Sequence, residues 1–316
     1  MKKLALLLAA LSVASVSYAK EVMPEAAPVV EEAPVVEEVV EVKAAPVLRV
    51  TSVGQELVVE NNSNANGDGQ EDIGDAIHLK NKVGLALGDN WTFDLMARKT
   101  WTASIDDHLN GDTEGSGMKS KAHRIDLQAT RHFENFSLGL RWRGEQNQDA
   151  IFLPVSYNYG MVSGWFDPAY YFADEGQDYF YLEAEPVVLS YGPVQLAYYF
   201  EGTKYTGDGN GNTLTSTKSD YAHQARLRGT VYSNDTFSVG AEYRYQFAQD
   251  VEMVNGNKNV ENNRHIAVLS AAYNVTENLT VDTYYQYEFN KYEQHEGTAM
   301  DDDYYGEFGL GWSYNF

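Results

Sequence analysis

From residue 47 onward, large apolar side chains fall on every second position, with polar or small residues between them. Trp91, Phe93, Leu95 and Ala97 alternate with Thr92, Asp94, Met96 and Arg98. Phe136, Leu138, Leu140 and Trp142 alternate with Ser137, Gly139, Arg141 and Arg143, and Phe237, Val239, Ala241, Tyr243, Tyr245 and Phe247 repeat the pattern. A period of two sustained over about ten residues predicts β-strands rather than helices. The spacing predicts strands over 46–60, 75–87, 91–101, 121–133, 136–145, 178–191, 194–205, 219–233, 236–248, 262–274, 278–292 and 302–316. Segment 146–177 holds one further hairpin or a long loop folded inward, and Pro154 and Pro168 weigh against the hairpin. Both counts are even, as a closed barrel requires; fourteen strands are expected, or twelve if that segment is a loop.

The connections also alternate. Gly88-Asp89-Asn90, Glu134-Asn135, Gly192-Pro193, Asn234-Asp235 and Thr276-Glu277-Asn278 are short turns, whereas 61–74, 102–120, 202–218, 248–261 and 291–301 are long and polar. Tight turns on one side and long loops on the other, with one apolar face per strand, describe an all-β transmembrane antiparallel β-barrel. Aromatics gather at strand ends (Trp91, Trp101, Phe133, Phe136, Tyr273, Phe289, Phe316), where interfacial girdles belong. The last strand places Phe308, Leu310, Trp312, Tyr314 and Phe316 on one face. Gly311, Tyr314 and Phe316 in this stretch resemble the signal that outer-membrane barrels present to their assembly machinery.

The two ends of the chain add a compartment. Lys2 and Lys3 precede the apolar run Leu4–Val16 and the small-x-small site Ser17-Tyr18-Ala19, so 1–19 is expected to be a cleaved secretory signal peptide. Residues 20–46 contain four of the eight prolines and repeat Ala-Pro-Val-Val-Glu-Glu at 27–32 and 33–38. Proline this dense prevents a continuous helix, and the segment is expected to be a periplasmic tether. Residues 47–316 would then form the barrel.

Composition narrows the function. A formal charge of −23 excludes a general nucleic-acid binder, which needs a basic face. The absence of cysteine excludes disulfides, thiolate metal sites and cysteine nucleophiles. A mean hydropathy of −0.44 excludes a multispan helical membrane protein but suits strands with one wet face. No nucleophile–base set emerges: His223 with Ser219, or His265 with Asn263, lacks the third group that would orient the base. No enzyme activity and no cofactor are expected.

Arginine carries the candidate chemistry. All ten arginines fall in predicted strands, whereas Lys119, Lys121, Lys204, Lys218, Lys258 and Lys291 sit at loop margins. By parity Arg98, Arg124, Arg141, Arg143, Arg226, Arg228 and Arg244 point away from lipid, as do Asp94, Asp126, Glu183, Glu185, Glu242, Asp282, Glu288 and Glu307. Arg131 has lipid-side parity but lies beside a turn, within reach of the headgroups. Arginine at the bilayer midplane costs about 2–4 kcal/mol, which forces these side chains inward but does not force their clustering. Opposed rows of arginine and carboxylate would set a transverse field across a water-filled pore for small hydrophilic solutes. Closed ion-pair networks would instead seal a narrow barrel. Asn64-x-Asn66-x-Asp68-Gly69-x-x-Asp72-x-x-Asp75 approaches calcium-loop spacing but lacks the final glutamate and flanking helices, so it reads as an external loop and no metal is expected.

The start Met1-Lys2-Lys3-Leu4-Ala5-Leu6, the stretch Lys20-Glu21-Val22-Met23-Pro24, the Pro/Val/Glu segment and the barrel ending at Phe316 resemble the fusobacterial major outer-membrane porins (the FomA type). The resemblance is close over the first 25 residues and architectural beyond them. It implies a water-filled, weakly selective, voltage-sensitive channel in the bacterial outer membrane, often a trimer; a barrel in that membrane is expected to contact lipid and lipopolysaccharide. It also implies a role in adhesion. The alternative reading is thus a surface adhesin whose acidic loops bind host or bacterial partners while the barrel anchors them.

Overall fold

The computed structural model describes residues 47–62, 72–103, 118–174, 176–207, 216–256, 258–294 and 303–316. The segments read as signal peptide and tether lie outside the described residues, as does most of the calcium-like loop. So do most of the outer loops on which the adhesin reading rests. Residues Val47–Phe316 form one compact unit.

Fifteen strands run in sequence: β1 (Leu48–Asn62), β2 (Asp72–Leu87), β3 (Trp91–Thr102), β4 (Lys119–His132), β5 (Phe136–Glu145), β6 (Gln148–Phe152), β7 (Val155–Tyr159) and β8 (Val162–Ala173) come first. They are followed by β9 (Tyr179–Tyr191), β10 (Val194–Tyr205), β11 (Thr217–Ser233), β12 (Phe237–Met253), β13 (Lys258–Asn274), β14 (Leu279–Gln294) and β15 (Asp303–Asn315). Each pairs antiparallel with its neighbours, and β15 returns to β1 in the register Val53↔Tyr314 and Leu57↔Leu310. The Phe316 amide donates to the Thr51 carbonyl at 3.0 Å, extending that seam to the last residue.

β6 and β7 are two halves of one stave between β5 and β8, so the closed barrel has fourteen staves. Segment 146–177 is therefore the additional hairpin. Its prolines are accommodated by interrupting the ladder. The Leu153 amide donates to the Pro168 carbonyl at 2.9 Å, and the Gly139 amide to the Pro154 carbonyl at 2.7 Å. Pro186 likewise lies where the register of β9 slips against both β8 and β10, a bulge that needs no ladder donor.

The short turns gather at one end as the spacing predicts. Gly192, at φ +55°, supplies the left-handed residue that the two-residue β9–β10 hairpin demands. The other end is less uniform than the sequence suggests. Stretch 248–261, read as a long loop, is largely strand: β12 runs to Met253 and β13 starts at Lys258. The β5–β6 connection is also only two residues long. Residues 248–261 mix polar and apolar side chains, so alternation there was too weak to reveal the extended ladder.

The two faces divide as alternation requires. Leu95, Ile125, Leu196, Leu227, Leu269, Leu310 and Trp312 are exposed on the outside, Leu269 by 59%. Paired rings mark the short-turn rim: Phe133 stacks on Phe136 at 4.3 Å, and Arg131 lies over the Phe133 ring at 5.1 Å. Inside, buried Ala150, Phe152, Ala169 and Tyr171 form a packed patch on β6 and β8.

Adjacent residues of β15 test this division. A Cβ at Gly309 would collide with the Tyr284 ring, so Gly309→Val overpacks the interior, at a cost of about 1–3 kcal/mol. Leu310→Arg places charge on the apolar face and should cost about 2–4 kcal/mol. Urea unfolding of lipid-inserted protein checks both, and no loss in either variant would contradict the face assignment.

Candidate functional site: the inner wall

Residues two apart share a face of a strand, so an inward arginine can meet a carboxylate on its own strand as well as on the next. On β3–β5, Arg98 and Arg124 stand directly opposite one another, an unfavourable pairing relieved by flanking acids. Arg124 Nε donates to Asp126 Oδ1 at 2.9 Å, and Arg143 Nε reaches the same oxygen at 3.1 Å. Arg98 lies 3.8 Å from Glu145, and Arg141 pairs with Asp167 of β8. The Phe152 ring, 1% exposed, packs beneath two guanidiniums, Arg141 at 3.9 Å and Arg143 at 4.5 Å. Cation–π contact of this kind stabilises by about 2 kcal/mol where water is excluded. Arg143 also donates to the Tyr171 hydroxyl at 2.8 Å.

The wall continues through β9–β14. Glu185, 2% exposed, accepts from Arg226 at 3.1 Å and Arg228 at 2.6 Å, and Arg226 covers the Tyr199 ring at 3.4 Å. Arg244 pairs with Glu242 on its own strand at 2.8 Å and reaches Gln286 at 3.3 Å. Gln286 donates to Glu288, which also receives Arg264.

On β1–β2, Glu56 accepts from Lys80 at 3.0 Å and Lys82 at 2.5 Å, and Glu60 meets the His78 ring at 2.6 Å. Other carboxylates rest on neutral donors. Glu183 and Glu201 face each other across β9–β10 and share the hydroxyls of Tyr181 and Tyr199 at 2.9–3.2 Å. Glu307 accepts from Tyr284 and, at 2.9 Å, from Tyr305. Asp94 and Asp282 have no cationic partner among the described residues. Near the short turns, a cavity of 380 Å³ opens between Gln195, Arg228, Thr230, Gly240, Glu242 and Ser270.

The structure thus brings Arg98, Arg124, Arg141, Arg143 and Asp126 into one network and Arg226 and Arg228 onto Glu185. It pairs Arg244 with Glu242 and gives Glu288 to Arg264. The expected opposition of arginine and acid rows is replaced by local pairing. Lysine is not confined to loop margins, because Lys80 and Lys82 lie within β2 with inward parity. Asp167, Phe152 and Tyr171 escaped notice because their strands were unassigned. Glu56, Lys80 and Lys82 were legible by parity alone. Asp75, in the calcium-like stretch, lies in β2 within 3.2 Å of Lys121. Tyr314 and Phe316 are exposed on the outer face, whereas Gly311 is inward, closed over by Asp282.

No family model matches the chain, and no curated protein matches it. Among solved structures, a bacterial polysaccharide outer membrane secretin aligns at 11% identity over 84% of this chain and 98% of that one, with a TM-score of 0.50. The anion-selective porin from Comamonas acidovorans aligns at 12% identity over 85% and 100%, TM-score 0.42. The outer membrane channel DcaP of Acinetobacter baumannii aligns at 11% identity over 87% and 98%, TM-score 0.44. At 11% identity the likeness to the secretin is one of fold alone.

Asp126 is the shared acceptor of two guanidiniums, so Asp126→Asn leaves two buried cations short of one charge. A loss of about 3–5 kcal/mol is expected in denaturant unfolding, partly recovered by adding Arg143→Met. Full stability of the single variant would contradict the network.

Proposed function

We propose that the chain is an outer-membrane porin, a water-filled channel for passive diffusion of ions and small hydrophilic solutes. The observation that carries this reading is a closed fourteen-stave barrel with a charged inner wall. Side chains already fill a barrel of about eight strands, so a wider one leaves an aqueous path unless a plug occupies it. Here the packed patch on β6 and β8 fills one side, while Gly240, Thr230 and Ser270 leave space on another. The outward leucines and aromatics suit contact with outer-membrane lipid and lipopolysaccharide. The likeness of the first 25 residues to fusobacterial major porins fits the same compartment and the trimeric state of that family. Tyr314 and Phe316, outward on the closing strand, suit recognition by the assembly machinery.

Purified protein added to a planar bilayer is expected to give ohmic, stepwise conductance. A bilayer that stays silent at all protein concentrations contradicts the porin reading. Replacing Arg141 and Arg143 together by Ala strips Asp167 of its partner and leaves Asp126 with Arg124 alone. The reversal potential in a salt gradient should then shift toward cation preference, and an unchanged value would mean that these groups do not face the permeation path.

A further inference from the structure

We infer that the barrel passes cations in preference to anions, because arginine on its wall is neutralised locally while a set of inward carboxylates is not. This rests on the porin reading and deepens it. Eight inward arginines (98, 124, 141, 143, 226, 228, 244 and 264) share six carboxylates, and Lys80 and Lys82 share Glu56. Eight on six and two on one leave three positive charges over. Even with Arg49 added at the short-turn rim, the carboxylates lacking a cation among the described residues outnumber them. These are Asp94, Glu183, Glu201, Asp220, Asp282 and Glu307; Glu183, Glu201 and Glu307 accept from tyrosine hydroxyls and Asp220 from Gln249.

Position reinforces the count. The guanidiniums of Arg141, Arg143 and Arg226 lie against aromatic rings, each held at one point by an acid, so they are fixed parts of the wall rather than a free track for anions. The unmatched carboxylates are spread over β3, β9, β10, β11, β14 and β15, around most of the circumference. A second observation comes from the chain itself. Segments 63–71, 104–117, 208–215 and 295–302 contain ten Asp or Glu with no Lys or Arg. An excess of acidic charge raises the local concentration of cations and lowers that of anions.

The reversal potential of the native protein in a tenfold KCl gradient tests this directly. Its sign is expected to correspond to K⁺ permeating faster than Cl⁻. Glu183→Gln combined with Glu201→Gln should keep the channel open and lower the permeability ratio by about twofold per carboxylate removed. Asp282→Asn, at the short-turn end, gives a second reading at a site free of the tyrosine cluster and should lower the ratio in the same direction. A conducting native channel with zero or anion-selective reversal overturns the inference and leaves the porin reading standing. An unchanged ratio in both conducting variants also overturns it. A native protein that never conducts overturns the porin reading and this inference with it.

Discussion

Hydrocarbon offers no partner to a backbone amide or carbonyl, so a sheet can cross a membrane only if every strand edge is paired. The seam between β1 and β15 meets that requirement here, and the rest of the structure depends on it. Once the sheet closes, each strand has a lipid side and an inner side, and a side chain's face follows from its parity. Irregularities are then confined to places where the ladder can be interrupted without exposing a donor, which is where Pro154, Pro168 and Pro186 lie.

Closure also decides where charge can go. Excluded from the outer face by a cost of about 2–4 kcal/mol at the midplane, arginine is crowded onto the inner wall. Crowded guanidiniums repel, as Arg98 facing Arg124 and Arg226 facing Arg244 illustrate. The remedy is the i, i+2 carboxylate, as in Arg124 with Asp126 and Arg244 with Glu242, reinforced by acids from neighbouring strands. Phe152 and Tyr199 complete this layer by taking up guanidinium faces, and the Tyr171 hydroxyl accepts from Arg143. The same layer narrows the interior from one side and sets the sign of the charge left facing water.

Much of this was legible in the sequence, for a physical reason. Parity is a property of single residues, so the inward set from Arg98 to Glu288 could be read without knowing which strands meet. Pairing is a property of register, and register depends on bulges that leave no local mark. Nothing in the run around Glu185 announces that it will receive both Arg226 and Arg228, because that contact skips β10 entirely. The broken stave was ambiguous for a related reason: five-residue strands flanking Leu153-Pro154 are too short for alternation to outweigh a proline. Lys80 and Lys82 were overlooked despite clear parity, since lysine elsewhere in the chain sits at loop margins.

The central claim is that one face of each stave meets water inside the barrel while the other meets lipid, and β13 allows it to be tested with little background. The chain has no native cysteine. Single substitutions Val268→Cys, Leu269→Cys, Ser270→Cys and Ala271→Cys can be probed in bilayers with a membrane-impermeant charged thiol reagent while current is recorded. Positions 268 and 270 are predicted to react and lower the conductance, with 269 and 271 inert. Reaction at 269 and 271 with silence at 268 and 270, or modification at 268 and 270 that leaves the current untouched, would contradict the account.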